Sequence, residues 1–339
     1  MAGLMRLWTV VTSLAVVAGS AAYAAQGRGE TYAIADAVFL QRDNSVLNRP
    51  FVLESPGGAT AISSRDPQFA VQPGLRLFYG SIDECNRGLE AGYLGVWGMF
   101  ADAEAANAGT LQAADPLGTP VGSLNGASVA GATYSSSLNS AEFNLFIRSS
   151  DGGYCRGAAA PWRRCRGYCE GTLDWLLGFR WAGLDESAAL AFSPAGNPGA
   201  GLYSVRTTSN LFGAQVGSRG RMTWDRWAFE GWGKVALTGA GMSQSQLPIE
   251  NSINDFQERS ARSSTHGGVG FIGDMNFTAT YRLTDTWGLR AGYNLLWLSG
   301  VALAPNQFDF GTSPVGGTNL VGGGSLFLHG ANLGLEARW

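Results

Sequence analysis

Two histidines, four cysteines and a set of regularly spaced charges hold most of the reactive chemistry available to this chain of 339 residues. His266 lies at the edge of a Ser/Gly-rich segment and His329 in an alternating apolar run, with no partner fixed by spacing. A Ser-His-Asp constellation is recognised by geometry, and abundant Ser and Asp make chance matches inevitable. The sequence holds no Gly-x-Ser-x-Gly elbow, His-Glu-x-x-His pair or phosphate loop. Runs such as Gly322-Gly323-Gly324 precede no helix and read as turns. The expectation is a non-enzyme without a cofactor. Cys85, Cys155, Cys165 and Cys169 are spaced for no tight zinc site, and neither histidine is near them in sequence. In an oxidising compartment two disulfides are the leading reading, with Cys85 joined to one of the other three. The charges fall at alternate positions of apolar segments: Arg76, Glu90, Glu142, Asp174, Arg180, Glu230, Lys234, Asp274, Arg290 and Glu336. Such a set either lines a water-filled pore and selects among solutes, or pairs internally and fills the space it faces.

The elements that must carry these charges are strands. From Phe327, the residues Phe327, Ala331, Leu333, Leu335, Ala337 and Trp339 alternate with Asn332, Gly334, Glu336 and Arg338. A period of two puts the apolar set on one face and the polar set on the other. A strand with an apolar outside and a polar inside is the unit of a transmembrane β-barrel. Phe327, Leu333, Leu335 and Trp339 form a terminal aromatic pattern similar to the signal that bacterial outer-membrane barrels present to their assembly machinery. Arg6, the apolar run Leu7 to Ala18 and Ala22-Tyr23-Ala24 read as a secretory signal peptide over residues 1–24. The remaining 25–339 form a single domain. Its 22 basic and 26 acidic residues leave a weakly acidic mature chain with no basic patch to invite nucleic acid. No later run is apolar for the roughly 18 residues that a helical span needs. Charged residues make up 14% of the chain against about 25% in soluble domains, beside 49 glycines and 11% aromatics.

Ten segments carry the strand pattern: Tyr32 to Arg42, Phe69 to Gly80, Gly88 to Met99, Tyr134 to Arg148, Thr172 to Leu184, Tyr203 to Gly217, Trp227 to Thr238, Val269 to Arg282, Trp287 to Ser299 and Ser325 to Trp339. Connections near Asn44, Ala106, Ala195, Gln246 and Gly316 are long, and those at Ile82, Arg219 and Leu283 short. With both termini in the periplasm, the long loops are extracellular, except Ser149 to Gly171. Trp287 and Trp297 share a face ten residues apart, about 25 Å along the membrane normal at a tilt near 40°. That spacing matches an apolar band between two aromatic girdles. Tyr203 to Gly217 changes phase near Leu211, which predicts a bulge. Tyr32 to Arg42 reads equally well with either face outward.

The blocks Ala35-Asp36-Ala37-Val38-Phe39-Leu40, Ser140 to Leu145, Leu177 to Trp181 with Leu184-Asp185-Glu186, Asn210 to Gln215 and Phe327 to Gly334 resemble, in order, the recurrent blocks of beta-barrel porin family seven, outer-membrane proteins abundant in planctomycetes. The resemblance implies an outer-membrane location and a barrel, and supplies no functional residues. The expected fold is an all-β, antiparallel, up-and-down transmembrane barrel of about 10 to 12 strands. Barrels near eight strands are filled by side chains, whereas water channels need about 16 to 18. Mixed charges in a narrow lumen favour pairing. The expected function is therefore a structural or surface role, or a narrow porin-like conductance, in the Gram-negative envelope. Outer-membrane lipid and the barrel-assembly machinery are the expected partners, with any solute or extracellular ligand unidentified. The alternative is a secreted, soluble β-sandwich acting as an adhesin or lectin-like module.

Overall fold

The computed structural model describes residues 30–55, 58–114, 124–149, 169–193, 201–251, 256–311 and 316–339. The expected signal peptide, Cys155 and Cys165 lie outside them. Ten antiparallel strands close into a barrel: β1 (Glu30–Arg42), β4 (Gln72–Ile82), β5 (Arg87–Ala113), β6 (Ala127–Arg148), β7 (Cys169–Ser193), β8 (Gly201–Trp224), β9 (Trp227–Gln246), β12 (Arg262–Arg282), β13 (Trp287–Val301) and β14 (Gly324–Arg338). Each pairs with its neighbour in the chain's order of barrel strands, and β14 pairs with β1 from Arg338↔Tyr32 to Leu328↔Arg42 to shut the ring. Two hairpins, β2 (Pro50–Glu54) with β3 (Thr60–Ser63) and β10 (Ile249–Asn251) with β11 (Phe256–Arg259), decorate one end. A closed ring has no exposed strand edge, and its outward face is apolar: Leu177 is 60% exposed, Trp287 48% and Trp297 51%. This excludes the β-sandwich alternative, whose apolar faces would be covered.

The ten segments read from sequence correspond one to one with the barrel strands, but several strands run much further. β5 has 27 residues and β7 has 25, against 15 each for β13 and β14. At roughly 3.3 Å per residue and a 40° tilt, the longest strands rise about 60 to 70 Å, well past an apolar band of about 25 Å. Past that band the outward positions turn polar, as at exposed Asp102, Glu104, Asp185 and Arg206, while the inward ones include the apolar Ala101, Leu184, Ala188, Leu190 and Val205 beside a few polar side chains such as Glu186 and Ser209. Ala106 and Arg219 therefore lie inside strands, not in connections. The short turn after β8 is at Asp225 and Arg226.

The expected bulge near Leu211 is absent: β8 keeps its register with both neighbours through that point. Tyr203, Val205, Leu211, Gln215 and Arg219 all face inward, and the phase change in sequence marks where the interior passes from apolar to polar. The shift occurs instead in β5, where Val96 pairs with Leu138 and Met99 with Ser136. Gly98, at φ +70°, absorbs the extra residue there. The inward register passes from Val96 to Met99 across it, leaving exposed Trp97 and Phe100 outside.

Candidate functional site

The lumen has two storeys. In the half nearest the turns and termini, the sequence-predicted charges converge. Arg180 Nη1 lies 2.9 Å from Asp274 Oδ2, and Arg76 Nη2 lies 3.4 Å from Asp274 Oδ1. Lys234 Nζ bridges Glu142 at 2.9 Å and Glu90 at 3.2 Å. Arg290 reaches Glu336 at 2.5 Å, Asp36 at 3.4 Å and Glu230 at 3.5 Å. Asp174 pairs with Arg148 and Arg219, both at 2.9 Å, and Arg219 also holds Glu90. All ten predicted lumen residues are buried in this one belt.

Asp36, Arg148, Arg219, Arg221 and Glu30, which the alternating pattern did not single out, complete it together with Arg338 from the polar face of the last strand. With them the belt holds eight acids (Glu30, Asp36, Glu90, Glu142, Asp174, Glu230, Asp274, Glu336) and eight bases (Arg76, Arg148, Arg180, Arg219, Arg221, Lys234, Arg290, Arg338) in two sets of ion pairs, Arg76–Asp274–Arg180 and the other thirteen, which Gln215 joins by hydrogen bonds to Arg180 and Glu142. The charges cancel. Amides extend the network: Gln215 Nε2 donates to Glu142 at 2.6 Å, Arg76 Nη1 to Asn294 Oδ1 at 2.5 Å, and Asn276 Nδ2 to Asn294 Oδ1 at 2.7 Å. Rings fill the rest, with the Lys234 ammonium 4.7 Å from the Phe78 ring centre and the Arg219 guanidinium 4.9 Å from that of Phe146. Inward glycines make the room. A Cβ at Gly334 would stand 2.1 Å from Asp36 Oδ1, and one at Gly178 2.2 Å from Asn144 Oδ1. A cavity of about 10 Å³ among Arg76, Glu142, Arg180 and Asp274 has space for about one water.

The other storey is apolar and is filled by the chain itself. Gly300 sits at φ +79°, and from Val301 to Phe308 every residue is buried. The segment turns off the wall into the barrel mouth, forming a 3-10 turn at Ala304–Gln307. Ala302 N donates to Ser209 Oγ at 3.0 Å and Ala304 N to Glu186 Oε2 at 2.9 Å. Glu186 is held by Arg42 at 2.7 Å. Phe308 packs edge-on against Phe51 and Tyr203, at centroid distances of 5.1 and 4.9 Å. From the β10–β11 hairpin, Arg259 donates to the carbonyls of Asp309 at 2.6 Å and Gly311 at 2.7 Å. Nothing in the spacing of residues 301–311 announced this insertion; its continuous apolar start, Val301-Ala302-Leu303-Ala304, was the available signal.

Of the remaining predicted residues, Leu333 and Leu335 are exposed on the outer wall and Phe327 is half-buried beside His329. Trp339 exchanges backbone hydrogen bonds with Thr31 at 2.8 and 3.0 Å, extending the seam between β14 and β1. Cys85 is exposed in the turn before β5 and free among the described residues. Cys169 opens β7 at the same end of the barrel. His329 points outward, with Nδ1 2.7 Å from the Tyr293 hydroxyl. No cluster of metal-ligating side chains occurs among the described residues.

A closed ten-stranded ring with an apolar outer band and a polar, ion-paired interior defines a transmembrane β-barrel. The chain belongs to the family described as Putative beta barrel porin-7 (BBP7), whose model matches residues 122–339. It is thus a member of a porin-like outer-membrane barrel family. Among solved structures, the outer membrane protease OmpT from Escherichia coli is similar at a TM-score of 0.47 and 10% identity, over 92% of this chain and 96% of that one. A major outer membrane protein from Thermus thermophilus gives 0.34 and 8%, over 91% and 99%. An anion-selective porin from Comamonas acidovorans gives 0.15 and 9%, over 91% and 98%. No curated protein matches the chain.

Proposed function

We propose that this protein is a sealed outer-membrane barrel with a structural or surface-interaction role, and neither a diffusion pore nor an enzyme. The carrying observation is the filled lumen: a charge-balanced belt at one level and the inserted residues 301–311 at the next. A general porin keeps an aqueous lumen, which ten strands this tightly filled do not supply. Neutralised belt charges also offer no net field to select ions, because each acid already faces a base. The positions of the two histidines support the non-enzymatic reading. His329 lies on the lipid-facing wall, and the side chain of His266 is exposed near the barrel mouth. In this reading the short turns and both termini face the periplasm, and the long connections with the tall wall face the outside. One observation favours a narrow conductance as second reading: the water-sized gap inside the belt. Swelling of proteoliposomes in small sugars tests the proposal. Swelling no faster than protein-free vesicles is expected, and swelling at the rate of a general porin would overturn it.

A further inference from the structure

At the turn end the barrel opens into a cavity of about 230 Å³. Its lining includes four arginines, Arg221, Arg226, Arg282 and Arg338, with Glu336 and Asp285. Arg221 and Arg338 are already committed to Glu336 and Glu230. Arg226 and Arg282 are exposed at the rim and make no ion pair among the described residues. The backbone fixes them side by side, because Arg282 N donates to the Arg226 carbonyl at 2.7 Å. Their neighbour Arg338 is placed by its own N–H, which donates to Thr286 O at 2.9 Å.

Like charges held together repel unless an anion joins them, and guanidinium forks match the oxygens of phosphate in pairs. We propose that this turn-side mouth is a binding site for a phosphate-type oxyanion, with Arg226 and Arg282 as its ligands. The site is smaller than the roughly 300 Å³ of typical small-molecule pockets, which suits an inorganic anion or a headgroup better than a larger metabolite. Trp287, on the outward wall, also lines it, so the anion has access from the periplasm or from the edge of the inner leaflet. Asp285 is the opposing charge at the rim, and its removal should strengthen the site. This inference stands whether or not the lumen conducts.

Titration calorimetry on the folded barrel in a maltoside detergent tests it with two probes, inorganic phosphate and the short-chain lipid dihexanoyl-phosphatidylglycerol. The expected result is saturable binding of at least one probe at low ionic strength. Binding should weaken at least tenfold in the Arg226→Gln/Arg282→Gln variant and tighten in Asp285→Asn. Phosphate alone would identify a soluble oxyanion, and the lipid alone a headgroup. Absence of binding by both probes, or binding that the double variant leaves unchanged, would overturn the proposal. All three positions are exposed, and heat-modifiable gel mobility verifies that each variant is folded.

Discussion

Arg290 shows how the belt works at the scale of single residues. It is wholly buried and faces Glu336, Glu230 and Asp36 together; removing its charge would leave the buried Asp36 without an ion-pair partner among the described residues and leave Glu230 and Glu336 to Arg221 and Arg338 alone. Breaking a buried pair from one side costs about 3 to 5 kcal/mol. Arg290→Met is therefore expected to lower barrel stability by that amount in a urea titration read by heat-modifiable mobility, whereas a change within about 0.5 kcal/mol would show the pairs to be dispensable. The same reasoning applies to Asp174. It is 1% exposed between Arg148 and Arg219, and its exchange for Asn should also be costly. The ten predicted charges were legible because each stood out against an apolar alternate set. Asp36 was not, because its inward neighbours on β1, Tyr32, Ile34, Val38 and Leu40, are apolar like much of the outward face. Arg219 was hidden by its neighbours Ser218 and Gly220, which imitate a turn.

At the scale of elements, the strands were readable wherever lipid faced one side and the belt the other. Where the wall rises past the membrane, small and polar residues replace the lipid-facing set, and the strands merge in sequence with their loops. Residues 301–311 were invisible for a different reason, since an inserted segment obeys the barrel's interior and not its own period. Arg259 anchors that segment from another loop through two charge-assisted hydrogen bonds, each worth about 1.5 to 3 kcal/mol. Arg259→Ala should leave the barrel folded but expose residues 302–311 to protease several-fold faster, measured by mass spectrometry of cleavage sites. Equal rates would mean that the apolar packing of Phe308 seats the segment unaided. The seam between β14 and β1 gives a second prediction. Trp339→Ser should reduce the yield of folded barrel far more than Leu283→Ser in the exposed turn after β12, because the seam strand must be captured and paired for closure. Equal yields on unboiled gels would count against Trp339 as part of the assembly signal.

At the scale of the whole molecule, the cysteines and the lumen make separate claims. The turn carrying Cys85 and the start of β7 at Cys169 are at one end of the barrel, and the expectation is a bond between Cys85 and one of Cys155, Cys165 and Cys169. Such a bond would close a loop of about 70 to 85 residues and contribute about 4 to 5 kcal/mol in the chain-entropy account. Non-reducing peptide mapping of envelope material is expected to find two disulfides, and four free thiols would refute them. The ten-stranded ring, its outer apolar band and its polar interior followed from the period-two pattern. How completely the interior is filled did not, because pattern gives the face of a residue but not its partner across the barrel. The filled lumen is the central claim, and single-channel recording of the refolded protein in planar bilayers tests it most directly. A filled lumen should give a current indistinguishable from protein-free bilayer leak, and steady unitary openings of porin size from the wild-type chain would contradict it.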